Sequence, residues 1–104
     1  FKTPKLIDEV YSSFHLYVIR VESESTQKSH KEIFEDLRES GILVNLHYIP
    51  VYLHPFYRDQ LGFKPGYCVN AEKYYREAIS IPMYPSLTDD DLKSVVDACS
   101  NSIR

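Results

Sequence analysis

The chain has 104 residues, 43% apolar and 26% charged, with a net charge of −3. That length allows one domain with a single core, and the composition is that of a globular protein rather than a disordered one. Lys and Arg are scattered, so no basic stripe for nucleic acid exists; no apolar run is long enough to span a bilayer, and no signal-like segment opens the chain.

Phe14–Val21 (FHLYVIRV) is rich in β-branched and aromatic residues and reads as a strand buried on both faces. The polar stretch ESESTQKS follows, offering several N-cap hydroxyls to a helix over roughly Gln27–Ser40. Ile33, Phe34 and Leu37 share one face of that helix, and Gly41 stands where a left-handed C-terminal residue belongs. Ile42–Tyr48 (ILVNLHY) reads as a second strand, stopped by Pro50, which has no N–H for a ladder. Pro50–Tyr67 reads as irregular with one helical turn near Pro55–Gln60, and Asn70 as the cap of a short helix through Glu77. Ala78–Met83 reads as a third strand, cut short or held to an edge by Pro82. Thr88 and Asp91 form an acidic capping box, and Leu92, Val95, Val96, Cys99 and Ile103 recur at helical spacing behind it. The expected fold is therefore α+β: a small, mainly antiparallel three-stranded sheet with helices packed on one face.

The chemistry-bearing segment is His47–Tyr57, HYIPVYLHPFY. It holds two His, three Tyr, one Phe and two Pro and no carboxylate, a composition suited to metal binding, to a ring-bearing polar ligand, or to plugging a core. His47 and His54 are seven residues apart across Pro50, without the helical spacing of a zinc protease and without nearby cysteines, so a metal site would need a third ligand from elsewhere. His15 lies in a strand and His30 on a helix, and neither joins that pair. Three glycines cannot write a Walker loop or a dinucleotide fingerprint, and no GxSxG elbow surrounds a serine. Asp89–Asp91 lacks the alternating spacing of a calcium loop and suits a helix N-terminus. Cys68 and Cys99 form no CxxC pair and read as free thiols of a reducing compartment, with a disulfide between them unsupported. Tyr48, Tyr52, Phe56 and Tyr57 beside His47 and His54 offer flat faces and hydrogen-bonding tips on a proline-stiffened loop, which favours a sugar or nucleobase ligand. A satellite aromatic cluster under a long loop is the competing reading.

Three stretches in order, SSFHLYVIRV, GILVNLHYIPVYLHPFYR and NAEKYYREAISIPMYPSLT, resemble the C-terminal region of sugar aminotransferases of the DegT/DnrJ/EryC1/StrS family. The likeness runs from Ser12 to Asp97 and is strongest to enzymes of pseudaminic acid synthesis, which aminate C4 of a UDP-linked 4-keto-6-deoxy-N-acetyl sugar. It implies a cytoplasmic, homodimeric pyridoxal 5'-phosphate enzyme of the aspartate aminotransferase fold, usually with glutamate as amino donor. The family's catalytic lysine sits in a Ser-x-His-x-x-Lys setting that none of the chain's seven lysines has. Residues 1–104 are thus expected to form the small C-terminal domain alone, without the large cofactor-binding domain. No catalytic, cofactor-binding or metal residue is expected in this chain, and a chain starting at Phe1 rather than Met agrees with that. Phe1–Val10 would be the tail of the interdomain helix, which Lys2, Pro4 and Lys5 would keep from persisting alone. The resemblance implies that His47, Tyr48, Tyr52, His54 and Tyr57 face the nucleotide-sugar. His47 and Tyr48 would lie at a strand end, Tyr52 and His54 near the diphosphate, and Tyr57 behind the loop. One departure is plain: many relatives read Pro-x-His where this chain has Pro50-Val51-Tyr52. A stand-alone α+β binding module without catalysis is the alternative. It predicts a polar surface where an excised domain would expose an apolar, self-associating one.

Overall fold

The computed structural model describes residues 1–22 and 26–104. The elements in order are strand β1 (Tyr17–Arg20), helix α1 (His30–Glu39), a single 3-10 turn (Val51–Leu53), α2 (Pro55–Leu61), α3 (Val69–Glu77), β2 (Ala78–Ile81) and α4 (Asp89–Ser102).

The fold is α+β, with the sheet smaller than expected. β1 and β2 pair antiparallel, with Tyr17 opposite Ile81 and Arg20 opposite Ala78. The expected second strand, Ile42–Tyr48, contributes one bridge, Asn45 to Ser80, and Lys2 makes a matching bridge to Arg20 on the far side of β1. Local hydrogen bonding explains why Ile42–Tyr48 goes no further. In this register the next pairs along β2 would use Pro82 and Ala78. Pro82 has no N–H to give. The Ala78 N–H is already bound to Tyr74 O at the end of α3, and its carbonyl lies 3.0 Å from His30 Nε2. Only Ser80 remains, and its N–H and C=O both go to Asn45 at 2.8 and 3.0 Å. β1 is likewise shorter than the apolar run that contains it, beginning at Tyr17 opposite Ile81.

Alternation along the two strands turns Ile19 and Ile79 to one side, where with Val21 they meet Ile33 and Leu37 of α1 and Val44 of the connecting segment. Ala98 and Cys99 of α4, with Ile103 just beyond its end, close that core. Val18 and Arg20 point to the opposite side and share a cavity with Tyr74 of α3. The first strand is therefore not buried on both faces, and the helices are not confined to one.

Both long helices start as their sequences dictate. Ser29 accepts from Glu32 N while the Glu32 carboxylate accepts from Ser29 N, and Thr88 and Asp91 repeat the exchange at α4. The polar stretch before α1 lies partly outside the described residues. Gly41 ends α1 with a φ of +81°. Asn70 is inside α3, whose N-cap is Cys68 with no side-chain cap. Cys68 is exposed and Cys99 half-buried, both as free thiols, and burial pushes the Cys99 thiol up. Residues 3–16 form no helix or strand, and Leu6, Ile7, Val10 and Tyr11 are exposed, the last at 97%. Among the described residues no helix is long and apolar enough to cross a membrane.

Candidate functional site

The segment His47–Tyr57 leaves the sheet at the Asn45–Ser80 bridge and crosses the surface toward α2. The His47–Tyr48 peptide is cis. His47 Nδ1 lies 2.8 Å from Ser80 Oγ, and Ser80 is buried while the imidazole is exposed. Two bridges therefore fix the start of the segment to β2, one through the Asn45 backbone and one through the His47 ring.

Tyr48 and His54 come together. Their rings stack with centroids 5.5 Å apart and planes 25° from parallel, Tyr48 being 63% exposed. Pro50 before the 3-10 turn and Pro55 at the first position of α2 restrict the backbone on both sides of His54. His54 Nε2 is buried and has no hydrogen-bond partner among the described residues. An imidazole nitrogen kept from water without a partner is unusual in a folded protein and costs free energy.

Tyr52 has a different environment. Its hydroxyl donates to Glu72 Oε1 at 2.5 Å and accepts from Cys68 N at 3.2 Å. The same carboxylate oxygen accepts from Gly66 N at 2.6 Å. Glu72 is only 9% exposed, and Arg76 stands 3.7 Å from its other oxygen. The Tyr52 hydrogen bond, with the Gly66 amide, holds the Glu72 carboxyl below its ordinary value. Burial and then Glu72 push the Tyr52 phenol up. The Tyr52 ring meets Tyr67 edge-on at 5.3 Å and tilts over Phe63 at 6.2 Å. Tyr57, 37% exposed, sits edge-on to Phe56 in α2.

The five residues singled out in the sequence thus occupy four places: His47 against Ser80 of β2, Tyr48 with His54 at the surface, Tyr52 in a polar-aromatic cluster with α3, and Tyr57 on α2. Sequence reasoning missed Ser80 and Glu72. Glu72 was visible as the carboxylate of Asn70-Ala71-Glu72, but nothing in that triplet points to a tyrosine 20 residues away.

Among the described residues no group of three or more His, Cys, Asp or Glu is arranged around a metal. A pyridoxal phosphate site does not fit within these residues either. Lys28 and Lys73 are paired with Asp36 and Glu77, at 2.6 and 3.9 Å, and Lys31 with Glu35 at 3.7 Å. Lys2 is paired with Glu22, while Lys5, Lys64 and Lys93 lie at the surface. The buried carboxylate beside the loop, Glu72, is already engaged by Tyr52 and Gly66 and is not free to face a pyridine nitrogen.

Comparison with known proteins gives these observations a frame. The UDP-4-amino-4,6-dideoxy-N-acetyl-beta-L-altrosamine transaminase of Campylobacter jejuni is 37% identical over 97 residues, which are 93% of this chain and 25% of that protein. Helicobacter pylori PseC, an aminotransferase involved in the biosynthesis of pseudoaminic acid, superposes with a TM-score of 0.76 at 27% identity, over 86% of this chain and 23% of its own. The PLP-form of Streptococcus pneumoniae Spr1654 superposes with a TM-score of 0.73 at 28% identity, over 89% of this chain and 24% of its own. The chain spans about a quarter of the length of the curated relatives it matches. The model of the DegT/DnrJ/EryC1/StrS aminotransferase family matches residues 2–100, and the chain belongs to that family.

Proposed function

We propose that residues 1–104 are the substrate-side small domain of a pyridoxal phosphate-dependent aminotransferase that moves an amino group, with glutamate as donor, to C4 of a nucleotide-linked 4-keto-6-deoxy sugar. The observation that carries this reading is His54. Within a chain of this family, an exposed tyrosine ring lies against an imidazole whose Nε2 is buried and has no partner among the described residues. The exposed Tyr48 face suits a ligand that offers a flat ring or sugar face, and a nitrogen in need of a partner lies directly behind it. His47, Tyr48 and His54 are the ligand-facing members of this wall, and Tyr57 supports it from α2. The names of the Campylobacter and Helicobacter relatives favour a UDP-linked N-acetyl sugar of the pseudaminic acid type.

The division of labour follows from what the described residues lack. They hold no lysine suited to the cofactor, so pyridoxal phosphate, which supplies the electron sink, belongs with a large domain carrying Ser-x-His-x-x-Lys. This chain's share is to bind and orient the sugar and to keep water from it. The working form is a cytoplasmic homodimer. Exposed Leu6, Ile7, Val10 and Tyr11 are what a domain seam leaves uncovered, and they speak against a self-sufficient binding module with a polar surface.

The test is direct. Protein containing this chain and the large domain, given glutamate and a UDP-linked 4-keto-6-deoxy-N-acetylhexosamine, should form the 4-amino sugar, read by mass spectrometry. His54→Ala should raise KM more than it lowers kcat. Full turnover with His54→Ala and unchanged KM would remove this wall from the site; no amination of any 4-keto nucleotide-sugar would remove the activity.

A further inference from the structure

Tyr52 stands between Tyr48 and His54 in sequence, yet its hydroxyl has no proton left for a ligand. It gives that proton to Glu72 Oε1 at 2.5 Å and receives one from the Cys68 amide at 3.2 Å. Turning Tyr52 outward would strip Glu72 of one of its two close donors and would break the ring contacts to Phe63 and Tyr67. A carboxylate this covered is costly to leave under-bonded.

A single carboxylate oxygen therefore ties three places together: the 3-10 turn through Tyr52, the turn at Gly66, and the first turns of α3. α3 leads directly into β2, which holds the other end of the segment through Ser80 and His47. The stretch carrying Tyr48 is thus suspended between two anchors, both belonging to the α3–β2 unit, and His54 follows the second anchor by two residues. Tyr52 is not among the hydrophobic residues packed against the cluster of Ile19, Val21, Ile33, Leu37, Val44 and Ile79 that makes the core.

We propose that Glu72 and Tyr52 are a positioning pair: Glu72 clamps the 3-10 turn to α3 through the Tyr52 hydroxyl and so sets where Tyr48 and His54 meet a ligand. The proposal rests on the reading of Tyr48 and His54 as the ligand-facing wall, and it moves Tyr52 from a ligand-contacting residue to one that acts through His54.

Two readouts separate the proposal from a merely structural role. The first is the NMR position of the His54 ring protons, which the Tyr48 ring current shifts. The second is the Kd for UDP-N-acetylglucosamine as probe. Tyr52→Phe keeps the ring and deletes the hydroxyl, so it should move the His54 resonances, leave the Ile19, Ile33 and Ile79 methyl resonances in place, and weaken the probe about tenfold, the scale of a small misplacement of a binding group. Glu72→Ala should do the same. Glu72→Gln, which keeps an acceptor oxygen, should stay within about threefold of the parent by the same scale. Unmoved His54 resonances in Tyr52→Phe would overturn the clamp, as would core methyls shifting as much as His54. If the parent chain does not bind the probe at all, the substrate reading fails, while the His54 resonances still decide the clamp.

Discussion

Replacing His54 by Phe tests the central observation in a way that activity alone does not. Phe keeps an aromatic ring against Tyr48, whose stack at 5.5 Å is worth about 0.5–1.5 kcal/mol beyond its burial. It also deletes Nε2, the buried nitrogen without a partner, whose desolvation costs roughly 1–3 kcal/mol. The rings are of similar size, so re-packing should return only part of that gain. His54→Phe should therefore stabilise the chain by about 1 kcal/mol, which for a domain of this size raises Tm by roughly 4–8 °C. His54→Ala removes the same nitrogen but loses the stack and the ring's packing, so it should melt at least ~1 kcal/mol below the Phe variant. Thermal melts followed by circular dichroism, with urea titrations as a second measure, give both differences. Stability rising while binding of UDP-N-acetylglucosamine falls is the pattern of a site held ready at a cost to the fold. A lower Tm for His54→Phe than for the parent would mean that Nε2 has a partner in solution, and the argument from an orphaned nitrogen would collapse.

Leu37 is fully buried between α1 and the sheet, so Leu37→Ala should cost about 2–5 kcal/mol in urea unfolding, while Leu43→Ala, at an exposed position beside it, should stay within about 0.5 kcal/mol. Acid should destabilise the chain in a stated window. The carboxyls of Glu22, Glu32, Glu72 and Asp91 are all held below their ordinary values, by Lys2, by Ser29, by Tyr52 and by Thr88 respectively. A depressed folded pKa contributes stability that is complete above the ordinary carboxylate value of about 4 and disappears as pH falls through the folded one. Tm should thus drop below about pH 4, and the double variant Ser29→Ala, Thr88→Ala should start lower at pH 7 and lose less across that range. An equally steep acid limb in the double variant would show that the two caps do not carry the effect.

What the sequence made legible was whatever depends on neighbours a few residues away. Thr88 with Asp91 fixed one helix start, Gly41 fixed a helix end, and Pro82 stopped a strand, because each acts on backbone within one turn; among several N-cap hydroxyls before α1, the structure selects Ser29 with Glu32. The apolar run Ile42–Tyr48 had the composition of a strand and makes only one bridge. Its failure lies in the partner: Ala78 had given its N–H to Tyr74 and set its carbonyl against His30, facts that composition cannot carry. The candidate site divides the same way. An aromatic, proline-bound segment is conspicuous in one dimension, so Tyr48 and His54 could be singled out as candidates. Tyr52 in the same segment is held by Glu72, twenty positions downstream, whose carboxylate captures its hydroxyl, a pairing that no local pattern announces. Long-range polar pairs of this kind commit a side chain to the fold whatever its neighbours in sequence suggest, and in this chain one buried glutamate does so for Tyr52.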